Sequence, residues 1–180
     1  LDILVNNAGI NFPEPFTEVS EDHFNRVMAL NVRAVFMVSQ AASRRMIADG
    51  LGGSIINMSS TAALVGIAPY LAYSAAKGGI RSMTKAIAAY CRSRRNGVRC
   101  NSVHPGSIDT PMVHAALAGL GGPSPDGPRF PEKVRQDMGI GEPSDVAQLV
   151  LFLASDESKH ITGAEMVIDN GETAFQLSGP

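Results

Sequence analysis

The chain has 180 residues, 44% of them hydrophobic and 18% charged, which suits one domain, 1–180, with a real core. A net charge of -2 and a pI near 6.1 leave no overall field to draw it to nucleic acid or an anionic membrane, so neither partner is expected. Cys91 and Cys100 are too few for a disulfide framework or a closed zinc site, and no apolar span of about 20 residues or signal-peptide pattern stands out; a cytoplasmic, metal-free domain is the expectation.

The chain opens on "LDILVNNAG" rather than on methionine, with an apolar strand over 1–6 already under way, which points to a fragment whose beginning is missing. The strand breaks at Asn7, Ala8 and Gly9. Ser20 then reads as an N-cap, with Glu21 and Asp22 in the first turn of one long helix reaching residue 48. "GLGG" at 50–53 ends it, and "SIINMSS" at 54–60 is a second strand. "YLAYSAAKGG" at 70–79 opens another helix, which runs through Ile80, Met83, Ile87 and Tyr90. The basic run "CRSRRNGVR" at 91–99 lacks interleaved aromatics and reads as the solvated end of that helix before an Asn-Gly turn.

"VRCNSVHPG" at 98–106 is a third strand, stopped by Pro105 and Gly106. Residues 111–143 follow as a lid over a site, with "GLGGPSPDGPRFP" at 119–131 dense in glycine and proline. A further helix is capped at Ser144, and "AEMVIDNG" is a last strand. Alternating strands and helices imply an α/β fold, a Rossmann-like parallel sheet with right-handed crossovers and helices on both faces. Ligands in such sheets bind past the carboxyl ends of the strands, where this chain carries "NNAG", "MSS", "HPGSIDT" and "DNG".

Tyr73 and Lys77 lie four apart, so on a helix they share one face. An ammonium beside a phenol favours phenolate, which would bring a group of ordinary pKa about 10 within reach of acid/base work near neutral pH. Ser60 stands thirteen residues before Tyr73 at a strand end, and Asn31 interrupts an apolar helix, where asparagine costs several tenths of a kcal/mol relative to alanine. Ser59 and Ser60 must point to opposite sides of an extended chain, and Ser60 is the one in register with Tyr73. His104 reads as a packed histidine. Ser74 and Lys77 also form S-x-x-K, but the S-D-N and K-T-G elements that chemistry needs do not occur.

With "LVNNAG", the mid-helix Asn31, Ser60, Tyr73-x-x-x-Lys77 and "HPGSIDTPM" in this order, the sequence resembles the classical branch of the short-chain dehydrogenase/reductase family. The resemblance implies an NAD- or NADP-dependent enzyme that interconverts an alcohol and a ketone. Tyr73 would be its acid/base. Lys77 would lower the tyrosine pKa and hold the nicotinamide ribose, Ser60 would bond the substrate oxygen, and Asn31 would hold a relay water. Asn7, Ala8 and Gly9 would touch the adenosine side of the cofactor, while Pro105, Gly106, Ile108 and Thr110 would form the turn at the nicotinamide.

One departure is large. The family's glycine-rich turn of the T-G-x-x-x-G-x-G type, and the strands around it, are not among these residues, so the chain matches the last two thirds of such a fold, and the fragment alone is expected to bind cofactor poorly. The residue that distinguishes NAD from NADP falls in the same missing part. Met112, Val113, Ala115, Leu117 and Phe130 in the lid suggest a small apolar alcohol or ketone as substrate. The two long helices correspond to those that pair family members into homodimers and homotetramers, and an inactive or nonenzymatic relative is the alternative.

Overall fold

The computed structural model describes residues 1–118 and 129–174, so part of the glycine- and proline-rich stretch of the expected lid lies outside the described residues. Four parallel strands, β1 (Ile3–Asn6), β2 (Gly53–Met58), β3 (Val98–Pro105) and β4 (Glu165–Ile168), stand in the order β1-β2-β3-β4. Each neighbour in space is the next strand in the chain, so every connection is a crossover between adjacent parallel strands. The register places Leu4 beside Ile55, Ile55 beside Cys100 and Val103 beside Met166.

Successive strand residues point to opposite faces, and the core follows that alternation. Ile55 and Cys100 face α2 (Val35–Asp49) and α3 (Leu71–Arg94) through Met46, Ala88 and Cys91. Ile56 and Val103 face the other side, against Leu153 and Val150 of α6 (Pro143–Ala154). Helices therefore cover both faces, and successive residues of β2 and β3 are buried whichever way they point. β1 is one of the two edge strands, and its Ile3 and Val5 are exposed.

Two boundaries differ from the sequence reading. The expected helix over 20–48 is in three parts: α1 (Glu21–Met28), a wide π-helical turn (Ala29–Ala34) and α2. Ser20 is its N-cap, accepting from the His23 N–H at 3.1 Å. At α6 the cap is Glu142 rather than Ser144, because the Asp145 carboxylate reaches back to accept from the Glu142 N–H at 2.8 Å. The lid segment contains two short helices, α4 (Pro111–Ala118) and α5 (Glu132–Met138).

Across the sheet, Glu165 of β4 ties α3 down through Arg81 at 2.8 Å and Lys85 at 2.7 Å. These two cations hold its carboxyl down at about 2, against an ordinary 4.5. A carboxyl pKa depressed in the folded state stabilises the fold above the ordinary value, and the contribution is lost as pH falls through the folded one. Glu165→Gln should therefore cost about 1 kcal/mol at neutral pH, since the cations are half in solvent. Denaturant midpoints should show the wild-type advantage shrinking between pH 4.5 and about 2 and vanishing below.

Candidate active site

The centre of the site is where α3 crosses the end of β2. The Lys77 ammonium donates to the Met58 carbonyl at 2.7 Å, and the Ser59 hydroxyl donates back to the Lys77 carbonyl at 2.9 Å. This exchange fixes the helix on the strand in both rotation and translation. Ser59 is thereby turned into the helix contact, away from the site. Lys77 is only 4% exposed, and burial pulls its pKa from 10.5 down to about 8.

Ser60 is the N-cap of a single 3-10 turn (Thr61–Ala63). Its Oγ accepts from the Ala62 N–H at 3.1 Å, which leaves the hydroxyl hydrogen to donate elsewhere. Its carbonyl lies 3.2 Å from His104 Nδ1, while His104 Nε2 lies 2.8 Å from Ser102 Oγ. A carbonyl can only accept, so Nδ1 carries the hydrogen and Nε2 takes the serine's; burial lowers the His104 pKa and keeps the ring neutral. His104 is the packed histidine the sequence suggested, with the added task of holding Ser60's backbone.

Tyr73 projects from the same face as Lys77, whose ammonium sits over the ring, 5.3 Å from its centroid. The expected lowering of the phenol pKa by Lys77 is not what this arrangement produces. Burial pushes Tyr73 above its ordinary 10, the Ser60 hydroxyl pulls it partly back, and the neighbouring Tyr70 raises it. The ammonium meets the face of the ring and spends a hydrogen on Met58, so it acts weakly on the hydroxyl. Tyr70 stands edge-on to Tyr73 at 6.2 Å and 67°. It is held from the far side by Glu14, which pairs with it across a lone parallel bridge and whose N–H donates to the Pro69 carbonyl at 2.9 Å.

Asn31 is 1% exposed in the π-helical turn, on the buried stripe with Val27, Val35 and Ser39. Its amide is taken on both sides by Ile10: Oδ1 accepts from the Ile10 N–H at 2.9 Å and Nδ2 donates to the Ile10 carbonyl at 2.8 Å. The side chain thereby pins the loop that leaves β1. That loop passes close: a Cβ on Gly9 would lie 3.4 Å from Asn31 Oδ1 and 3.6 Å from Lys77 Nζ, so glycine leaves a cradle over both. Asn7 and Ala8 are exposed beside it. The strand end is braced by Asn6, which donates to Asn57 at 2.7 Å and Ser39 at 2.9 Å.

At the end of β3, the Gly106 N–H donates to the Ile168 carbonyl at 3.0 Å, and a Cβ there would come within 2.6 Å of Glu172 Oε2 and 2.9 Å of Asp169 Cβ, so only glycine fits. Ile108 follows in a lone bridge to Gly141. Thr110 caps α4: its hydroxyl donates to the Ile108 carbonyl at 3.2 Å and accepts from the Val113 N–H at 3.4 Å. Phe130, expected in the pocket wall, is buried edge-on against His114 at 4.9 Å instead. A cavity of about 580 Å³ opens beside Ile108, lined also by Arg135, Ile168 and Asp169 but not by Ser60, Tyr73 or Lys77.

The strand ends thus bring Gly9, Asn31, Ser60, Tyr73 and Lys77 together, with the 105–110 turn at the end of the adjoining strand. A family model described as "Enoyl-(Acyl carrier protein) reductase" matches residues 1–173. An NADP-dependent (R)-specific alcohol dehydrogenase of Lentilactobacillus kefiri is 41% identical over 172 residues, covering 95% of this chain and 66% of the relative. A 3-beta-hydroxysteroid dehydrogenase of Comamonas testosteroni is 39% identical over 170 residues, covering 94% and 65%. The chain thus spans just under two thirds of the length of either relative. Among solved structures, a 4-hydroxyisoleucine dehydrogenase mutant complexed with NADH and succinate superposes with a TM-score of 0.82 at 30% identity, covering 97% of this chain and 69% of that one.

The buried Lys77 leaves a signature in the stability. Its folded pKa, about 8, lies below the unfolded 10.5, so the unfolded chain binds the extra proton between these values and stability rises with pH across that window. Relative to Lys77→Met, the wild type should gain on the order of 2 kcal/mol between pH 8 and 10.5, read as the difference in denaturant midpoints; parallel curves would show that the ammonium is not desolvated.

Proposed function

We propose that this chain, which belongs to the short-chain dehydrogenase/reductase family, carries the catalytic residues of an NAD(P)-dependent oxidoreductase that interconverts a secondary alcohol and a ketone. The observation that carries the proposal is the exchange of hydrogen bonds between Lys77 and residues 58–59, which holds Tyr73, Lys77 and Ser60 at one strand end. Of the relatives named above, one is NADP-dependent and one was solved with NADH, and either cofactor suits the reading.

The residues present fit the nicotinamide half of such a cofactor. Gly9 leaves the cradle over Lys77 and Asn31, and Lys77 has ammonium hydrogens beyond the one given to Met58. Lys77 and Tyr73 would hold the ribose, and Ile108, Thr110, Pro105 and Gly106 the nicotinamide, with Asn7 and Ala8 toward the adenosine. Bound there, the nicotinamide supplies or accepts the hydride.

Tyr73 keeps its proton at neutral pH because burial disfavours the phenolate, which suits it to protonate an alkoxide during reduction. Ser60, with Oγ anchored on Ala62, turns its free hydrogen from Tyr73 to the substrate oxygen and stabilises the charge that grows there. In the oxidation direction Tyr73 must ionise, and the Ser60 hydroxyl, which pulls its pKa partly back down, favours that step. Asn31 holds the β1 loop in place for these groups.

Met112, Val113, Ala115 and Leu117 favour a small apolar substrate. The exposed Phe36, Met37 and Val38 of α2 and Tyr90 of α3 favour pairing of these helices in a homodimer or homotetramer. No described helix is long and apolar enough to cross a membrane, and a cytoplasmic setting fits the two free cysteines. A second reading, a chain that binds the cofactor too weakly to turn over, is favoured by the exposure of Asn7 and Ala8 and by the lack of a glycine-rich turn among the 180 residues.

Titration of the protein with NADH, followed by amide chemical shifts, should move Gly9, Tyr73, Lys77 and Ile108; shifts absent from all four favour the second reading. Tyr73→Phe should retain those shifts while reduction of a simple ketone falls about a thousandfold, within the range that positioned acids and bases contribute. Turnover that survives in Tyr73→Phe defeats the acid/base assignment.

A further inference from the structure

We infer that Asp109 is a positioning residue: its carboxylate clamps α4, α5 and the entry to α6 onto the end of β3, and so fixes the backbone of Ile108 and Thr110 on either side of it. The Asp109 side chain is fully buried, at 0% exposure. Its Oδ1 lies 2.5 Å from His114 Nε2 on α4, and its Oδ2 lies 3.6 Å from the Arg135 guanidinium on α5. The same guanidinium reaches Glu142, the N-cap of α6, at 2.7 Å. One carboxylate thus joins three helices to a strand end through side chains alone.

The backbone repeats the connection. The Asp109 N–H donates to the Gly141 carbonyl at 2.9 Å, and the Gly141 N–H donates to the Ser107 carbonyl at 3.0 Å. The fit is close at this point, since a Cβ on Gly141 would come 3.0 Å from Ile108 Cδ1. A buried carboxylate is costly unless paired, and Arg135 supplies the countercharge. A carboxylate only accepts, so His114 Nε2 carries the hydrogen, while His114 Nδ1 has no hydrogen-bond partner among the described residues. Phe130, edge-on to His114, covers the pair. No step of the proposed reaction uses these groups, yet they set the one turn where two candidate nicotinamide contacts flank a residue with no access to solvent.

The inference rests on the dehydrogenase reading only for the role of Ile108 and Thr110, so the test has two arms. In hydrogen exchange on the 180-residue protein, Asp109→Asn, which keeps an acceptor for His114 but drops the charge facing Arg135, should speed exchange roughly tenfold at residues 108–117 and 132–141, with β2 and β3 unchanged. Arg135→Gln should do the same, and the double variant should be no faster than the faster single. Unchanged exchange, or a uniform rise that includes β2 and β3, overturns the clamp. In the second arm, Asp109→Asn should raise the Kd for NADH about tenfold by nicotinamide fluorescence, and KM with it, while kcat stays within about twofold. Loosened helices with an unchanged Kd would overturn the positioning of the nicotinamide turn. A wild type that shows no NADH binding defeats the dehydrogenase reading and leaves the exchange arm to decide the clamp.

Discussion

The site depends on one hydrogen bond, from the Lys77 ammonium to the Met58 carbonyl at 2.7 Å. A carbonyl at the end of a parallel strand has no further residue of its own strand to shield it, and the ammonium takes that place. Once it does, Tyr73, one turn back along α3, can only point past the strand end, and Ser60, two residues beyond Met58, can only lie across from it. The return bond from Ser59 removes the remaining freedom of the helix to slide. A buried charge is thus made part of the fold by the same contact that makes it available for chemistry, and the pKa of about 8 is the physical trace of that double use.

The loop after β1 is built by a comparable device on a different element. A helix of uniform pitch would carry Asn31 inward as one more core residue; the wide turn over Ala29–Ala34 lets its amide meet both backbone groups of Ile10. Wide turns of this kind cluster at functional sites because they aim a side chain at the expense of regular packing. The result is that Gly9 is carried over Lys77, so strand β1, helix α3 and the strand end of β2 meet at a single point.

Much of this was legible in the residues. The first strand showed as an apolar run and the strand ends as clusters of small polar residues, which in a parallel sheet mark the side where a ligand lies. Tyr73, Lys77 and Ser60 were legible because spacing on a helix and position at a strand end are both readable one residue at a time. The wide turn was not, since valine, alanine and leucine at helical spacing look the same whether the pitch is regular or locally relaxed. Glu142 as a cap was hidden by Ser144, a better capping residue by type, because the deciding contact comes back from Asp145. The direction of the Tyr73 shift was misread for a related reason: adjacency on a helix face does not say whether an ammonium meets the hydroxyl or the ring.

Asp109 and His114 show the limit more sharply. Five residues apart across a turn and a helix start, they follow neither the helical nor the strand period, and Arg135 lies far along the chain beyond a stretch rich in glycine and proline. Nothing local marks the three as a unit. What unites them is that the turn after β3 must leave the sheet without exposing its backbone, and a buried carboxylate with a guanidinium opposite satisfies that requirement from two helices at once. Lys77 at one strand end and Asp109 past the next are then two uses of one principle, a charge placed where a parallel strand stops. One is left partly free to act, and the other is set between an imidazole and a guanidinium so that its neighbours stay still.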